Sequence, residues 1–344
     1  MAKKCASRSP RQHRPSPRPW SWGLHKTTEA RAVRMAWAQV LQGWANEAIA
    51  RRVIAVTGAR SSLQDFAGPP GDAGLFGPES MAWRVHEHFT AMMVGGLSSL
   101  MVQALHPRAL AAVWDHSDFR HDLRGRLGRT AYFVAATTYG GRALAMRTIE
   151  RVNTIHARAL GTDLQGQAYA ANDPVLIRWV HLVEVTSFLS AFQHLSPRPL
   201  SAAECDRYIA EMSQIGHLLG AVDLPQTLNA SAQALLDFQS ALRCDERTRE
   251  ILRVIASYPS DWLDRPFMTL VMRSAFDLMP EWALQRMGRA RSCEAQVHAR
   301  RLALGLAGEP IQWMLTQQGV AATARRRVCS AAPLGGAGHG AVAL

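Results

Sequence analysis

A histidine lies in the segment "TIERVNTIHARALGTD", residues 148–163, where a helical pattern calls for an apolar side chain. The pattern consists of five residues separated by steps of 4, 3, 4 and 3, which fall on one face of a helix: Ala145, Ile149, Val152, His156 and Ala159. His156 is therefore expected to point into the core, where a neutral imidazole must satisfy one donor and one acceptor nitrogen. Two hydrogen bonds inside the protein would do so. A metal on one nitrogen and an acceptor for the other would do so equally, although spacing alone favours hydrogen bonds.

Two further histidines are expected to point into the same helical core. His106 ends an apolar stretch, and His181 lies on an apolar stripe in "IRWVHLVEVTSFL". The helices that carry them contain no His-Glu-x-x-His, no Glu-x-x-His pair and no carboxylate set of the di-iron type. A metal held by these histidines would have to bring ligands of its own, which points to haem. The alternative is that all three are hydrogen-bonded core residues.

Other candidate ligands have simpler interpretations. His86 and His88 are two residues apart and would lie on different sides of a helix, so both are interpreted as surface residues. The segment "DHSDFRHD", residues 115–122, contains ligand-type side chains, but these also suit the solvated start of a helix.

The elements that must position these residues are helices. Almost no alternating β-branched run occurs, whereas apolar residues recur at helical spacing with capping residues between them. Helices are predicted over Trp37–Val53, Thr90–Leu105 and Ala143–Leu160, and others start at Asp173 and at the capping box of Ser201. The fold class is predicted to be all-α, a single multi-helix globular domain.

The ends of the chain differ from its middle in composition. Residues 1–30 are predicted to be a disordered basic extension, residues 31–318 the helical domain, and residues 319–344 a flexible C-terminal tail. Nine of the +12 formal charges come from basic residues near the two ends, which leaves only +3 elsewhere. A nucleic-acid-binding function is therefore not expected, because it needs its basic residues on one folded face.

The five cysteines are far apart and form no Cys-x-x-Cys pair, so a reducing compartment, the cytoplasm, is expected. The longest apolar stretch has 15 residues, which is too short to span a bilayer, so no transmembrane segment is expected.

Several stretches together resemble one protein family. They occur in this order: "GLFGPESMAWRVH", "QALHPRALAAVWDHSDFR", "GRLGRTAYFVAATTYG", "VNTIHARALGTDLQGQAYAANDP" and "RWVHLVEVTSFL". These stretches are similar to the family of the bacterial rubber oxygenases (latex-clearing proteins) and of the MpaB-type fungal oxygenase, which shortens the farnesyl chain of a mycophenolic acid precursor. The resemblance covers roughly residues 31–290.

The resemblance implies an all-α fold around a b-type haem whose iron has one histidine as its proximal ligand. By position in "IHARALG", that ligand is His156. The distal Arg-x-x-Lys-Thr motif of rubber oxygenases is matched by Arg126, Arg129 and Thr130, which are therefore the candidate catalytic residues, with Arg126 also a candidate for binding the cofactor. His181 and His106 are weaker candidates for cofactor binding and are equally compatible with structural roles.

Arg129 departs from the motif, which has lysine at this position. A lysine can lose its proton and ligate iron, whereas a guanidinium effectively cannot and serves to anchor a haem propionate or to polarise dioxygen.

The function implied is a haem b-dependent oxygenase that uses dioxygen on a lipophilic unsaturated substrate, with oxidative alkene cleavage as the reaction type of the characterised relatives. Two alternatives are a non-enzymatic haem carrier or sensor and a helical interaction protein without a cofactor. The sequence names neither the substrate nor the oligomeric state.

Overall fold

The computed structural model describes residues 63–257, Trp262 and residues 264–330 of the 344-residue chain. All of them belong to one structural unit. The predicted basic extension, the predicted helix Trp37–Val53 and residues 331–344 lie outside the described residues.

The described part is all-α, as predicted. A short 3-10 turn, Leu63–Phe66, precedes the first group of helices. These are α1 (Met81–His86), α2 (Phe89–Gln103), α3 (Pro107–His116), α4 (Leu123–Tyr139) and α5 (Arg142–His156). A small antiparallel hairpin follows, made of β1 (Leu160–Thr162) and β2 (Ala168–Ala170).

The second half of the described chain is also helical. It contains α6 (Pro174–Leu195), α7 (Ala202–Leu218), α8 (Leu228–Asp237), the 3-10 turn Gln239–Ala241, α9 (Glu246–Ala256), α10 (Arg265–Asp277), α11 (Glu281–Arg286), α12 (Glu294–Gln318) and α13 (Val320–Cys329).

Local capping chemistry sets several of the helix boundaries. Asp173 caps α6 by accepting from the backbone N–H of Val175, and Pro174 occupies its first position. Ser201 and Glu204 form the predicted capping box of α7. Gly140 ends α4, as expected from the sequence. These predictions are confirmed.

The helix predicted over Ala143–Leu160 is wrong at its end. The observed helix stops at His156, and Leu160 pairs with Ala170 in the hairpin. The side chain of Asp163 holds the connecting loop by accepting from the backbone N–H groups of Gln165 and Gln167. These hydrogen bonds to the loop backbone compete with continuation of the helix.

The two central helices are α2 and α6, which pack against each other along the core. Gly95 of α2 approaches α6 so closely that a Cβ added there would lie 2.9 Å from the Cα of Phe188. Around this pair, buried apolar residues of α1, α3, α7, α9 and α10 complete the main hydrophobic core. The pair therefore sets the geometry at the centre of the domain.

The last helix packs onto the first described residues. Arg327 of α13 is buried and donates to the backbone carbonyls of Phe66 and Asp72. The expectation of a flexible tail from residue 319 is therefore wrong for residues 319–330, because an unrecognised tertiary contact holds this segment in place.

Among the described residues, α6 is long and apolar enough to cross a membrane, and α2 and α3 would qualify only as one span bent by 106°. The α6 window is 61% buried inside the domain, so packing between helices also accounts for its composition. The expectation of no transmembrane segment stays a prediction.

Candidate active-site cavity

A cavity of about 470 Å³ lies beside the central helix pair. Its wall is mostly apolar and comes mainly from α2, α4 and α6, with contributions from α3 and α7 and from the ends of α1 and α5. This size and lining are typical of pockets for small molecules and cofactors. The following polar side chains project from the wall: His86, Ser99, Gln103, Arg126, Thr130, Thr137, Tyr139, His156, His181 and Glu184.

His156 borders this cavity at the last residue of α5. Its Nδ1 atom is buried and has no hydrogen-bond partner among the described residues. Burial lowers the pKa of the imidazole below its usual value, so the ring is neutral near pH 7. A neutral imidazole with an unsatisfied buried nitrogen is suited to bind a metal or a ligand, and the core alternative lacks the hydrogen bond of Nδ1 among the described residues.

His181 also borders the cavity and is buried. A Cβ added to Gly216 of α7 would lie 3.0 Å from its Nε2, so the ring packs directly on the backbone of that helix. Burial, with a smaller effect of His217, lowers its pKa to about 4. His181 is therefore a second neutral imidazole at the same cavity.

His106 lies elsewhere, since it is not part of the cavity wall. It is the N-terminal capping residue of α3, with the N–H of Ala109 3.5 Å from its Nδ1, and its ring contacts Trp179 and Phe238. This placement supports the structural alternative for His106.

The three residues of the distal motif lie on α4, but not all of them border the cavity. Arg126 and Thr130 border the cavity, one helical turn apart, whereas Arg129 does not. The Arg129 side chain is 65% exposed, and its Nη1 lies 3.7 Å from Oδ2 of Asp122. The sequence-based placement of Arg129 at the site is therefore wrong. In the first two turns of α4 the cavity is bordered by residues 126, 127 and 130, and Arg129 lies beside Asp122, the carboxylate that caps the helix.

Arg126 is the arginine of this motif that borders the cavity. Burial, and to a lesser extent the charge of Arg129, lowers the pKa of Arg126 to about 10. No described carboxylate forms an ion pair with it. Because Arg126 is partly buried, borders the cavity and has no ion pair with a described carboxylate, it is suited to bind a carboxylate of a ligand that enters the cavity.

The interpretation of His86 and His88 as surface residues is wrong. His86 is buried, and its ring nitrogens lie 2.7 Å from Oγ1 of Thr138 and 3.0 Å from the hydroxyl of Tyr208. Burial lowers its pKa to about 3. His88 is partly buried and caps α2 by accepting from the N–H of Ala91. The two histidines belong to different helices, so their spacing in sequence says nothing about a common surface.

The acidic and histidine side chains of residues 115–122 serve structural roles. Asp122 caps α4, and Asp115 accepts a hydrogen bond from the hydroxyl of Tyr169. In the part of the chain that the structure describes, no group of three or more His, Cys, Asp or Glu side chains is arranged to hold a metal ion. A metal bound at the cavity would therefore need ligands that the described side chains do not supply.

Sequence reasoning missed Glu184. This residue lies on α6 three positions after His181 and borders the same cavity. Burial raises the pKa of its carboxyl to about 7. The signal was the order His-x-x-Glu on an apolar stripe, the reverse of the Glu-x-x-His spacing that was sought.

Comparison with known proteins identifies the family. The family model described as "ER-bound oxygenase mpaB/B'/Rubber oxygenase, catalytic domain" matches residues 83–308, well over half of the chain. The chain belongs to this family, and membership indicates an enzyme of the oxygenase kind. No curated protein and no solved structure matches the chain.

Proposed function

We propose that this chain is a haem b-dependent oxygenase that uses dioxygen on a lipophilic, unsaturated small molecule. The observation that carries the proposal is His156, a neutral imidazole whose buried Nδ1 has no described partner and which borders a largely apolar cavity. Family membership supports the oxygenase part of the proposal.

The residues at the cavity fit a haem. His156 would be its protein ligand, because a neutral imidazole donates a lone pair to iron. Arg126 would bind a haem propionate, since its partly buried guanidinium borders the cavity without a described counter-ion. When bound, the haem supplies the reduction and activation of dioxygen.

The remaining wall of the cavity determines what can react there. Its apolar side chains exclude water and hold a lipophilic molecule by burying its surface. Oxidative cleavage of an alkene is the proposed reaction: the C=C bond and the O–O bond of one dioxygen break, and two C=O bonds form. Both oxygen atoms enter the products, so the overall reaction consumes no external reductant.

Two measurements test the proposal. Absorption spectra of the purified protein with and without dithionite should show a Soret band that shifts on reduction, and a colourless protein would overturn haem dependence. Oxygen consumption with lipophilic alkenes should be sustained and accompanied by carbonyl products. A coloured protein that binds ligands without consuming oxygen would instead be a haem carrier or sensor.

A further inference from the structure

Glu184 faces the cavity from the middle of α6. It lies three residues after His181 and four residues before Phe188, and all three side chains border the cavity. On a helix this spacing puts them on one face. Glu184 therefore lies on the face of α6 that borders the cavity.

No described residue donates a hydrogen bond to the carboxyl group of Glu184 or forms an ion pair with it. Its pKa, raised to about 7 by burial, agrees with a carboxyl group in apolar surroundings. A polar group in apolar surroundings without a partner lowers stability, and more so when it is charged. The carboxyl group of Glu184 therefore lowers the stability of the protein unless a ligand forms a hydrogen bond with it.

The polar group nearest in influence to Glu184, Tyr208, is already paired. Tyr208 is close enough for the charge of Glu184 to raise its pKa. Its hydroxyl, however, pairs with His86, whose other ring nitrogen pairs with Thr138. No ion pair joins Glu184 to Arg126 in the described part of the chain, so the cavity wall has a cation and a carboxyl group that are independent of each other. A molecule in the cavity can therefore supply the partner that no described residue supplies.

We propose that Glu184 determines specificity by binding a hydroxyl group on the lipophilic molecule that the cavity accepts. A protonated carboxyl group both donates and accepts a hydrogen bond, as a hydroxyl does, so the two groups are complementary. A purely hydrocarbon ligand would leave the carboxyl group unsatisfied, and sites of this kind discriminate strongly against analogues that lack the polar group. The inference rests on the proposed function only in taking the ligand to be an alkene.

A matched pair of ligands tests the inference by binding alone. The probes are 9-decen-1-ol and its methyl ether, which share the alkene and the chain but differ in the hydrogen-bond donor. Calorimetric titration of the full-length protein as purified should give an affinity for the alcohol about tenfold or more above that for the ether, since one hydrogen bond to a buried group is worth about 1.5 kcal/mol.

Variants of the cavity wall assign the preference to Glu184. Glu184→Leu should bind both probes with similar affinity, and Glu184→Gln should retain most of the preference because an amide also donates and accepts. Thr137→Val is the matched control. Thr137 borders the same cavity, but its hydroxyl is bonded to the backbone carbonyl of Phe133, so the preference should be unchanged.

Equal affinities in the wild-type protein would overturn the inference, whether or not Glu184→Leu folds. A preference that survives in Glu184→Leu would overturn it as well and would assign hydroxyl binding to another group, such as His181. The proposed function is tested separately. A protein that prefers the alcohol but consumes no oxygen would support the hydroxyl site and contradict the oxygenase function.

Discussion

The Cα of Gly95 and the Cα of Phe188 belong to two helices in direct backbone contact: a Cβ on Gly95 would lie 2.9 Å from the Cα of Phe188 and 2.9 Å from the carbonyl oxygen of Ser187. Only a residue without a side chain fits at position 95. Because Gly96 of α2 and Phe188 of α6 also border the cavity, this contact fixes the separation of two of its walls.

Gly95→Ala is expected to destabilise the protein by about 1–3 kcal/mol, because the two backbones must move apart to accept a methyl group. Gly96→Ala is the control, since a Cβ there would meet Phe188 at an ordinary 3.6 Å and alanine favours a helix over glycine. Urea unfolding of both variants measures the difference. Equal midpoints for the two would contradict the close approach.

His156→Ala should fold and lose most of its haem. The substitution removes no hydrogen bond of Nδ1 to a described residue but takes away the proposed iron ligand. The ratio of Soret to protein absorbance gives the haem content. The exposed His298 on α12 provides the control His298→Ala, which should keep the haem. An unchanged Soret band at full stoichiometry in His156→Ala would refute the ligand assignment.

Arg126→Leu should weaken haem retention about tenfold or more, because it removes a charge-assisted hydrogen bond worth about 1.5–3 kcal/mol. The rate of haem transfer to excess apomyoglobin measures this. Arg129→Leu should leave that rate unchanged and alter stability by no more than about 0.5 kcal/mol, since its side chain is 65% exposed. Faster haem loss from Arg129→Leu, with none from Arg126→Leu, would indicate that Arg129 and not Arg126 binds the haem propionate.

Glu184→Gln should change how stability depends on pH. Because burial raises the carboxyl pKa to about 7, the native state binds more protons than the unfolded state between the usual pKa of 4.5 and about 7. Glu184 therefore lowers the stability of the wild-type protein as the pH rises through this window, by up to about 3 kcal/mol. Glu184→Gln cannot ionise, so its stability does not fall for this reason as the pH rises.

Urea unfolding of Glu184→Gln and of the wild-type protein at pH 5 and pH 8 should therefore show the variant gaining relative stability at the higher pH. The same difference between the two proteins at both pH values would mean that the carboxyl group ionises normally.

The fold was largely predictable because its signals are local. Asp173 before Pro174 and Ser201 before Glu204 carry the chemistry of helix starts within four residues of sequence, and the structure has both caps. The position of His156 on an apolar face was predictable for the same reason. The hairpin after His156 was not, because it also depends on contacts such as the hydrogen bond from Tyr169 to Asp115, 54 positions away in sequence.

The site was less predictable than the fold. A charged residue in an apolar helix is usually predicted to face solvent. This expectation fails for Glu184, because its face of the helix borders the cavity. The orientation of Arg129 depends on the carboxylate of Asp122, and the burial of His86 depends on Tyr208, 122 positions away. Sequence spacing contains no information about the contact between His86 and Tyr208.

The hydrogen bonds of Arg327 have a consequence for where the chain can be shortened. The family match ends at residue 308, but the buried guanidinium of Arg327 donates to the carbonyls of Phe66 and Asp72, more than 250 positions earlier. A protein truncated at the end of the family match would lose the hydrogen bonds of Arg327. It would also expose the fully buried Phe66 and its neighbours Trp83 and Tyr139. We therefore expect a stable fragment of this chain to extend to about residue 330, so that it keeps the helix that carries Arg327.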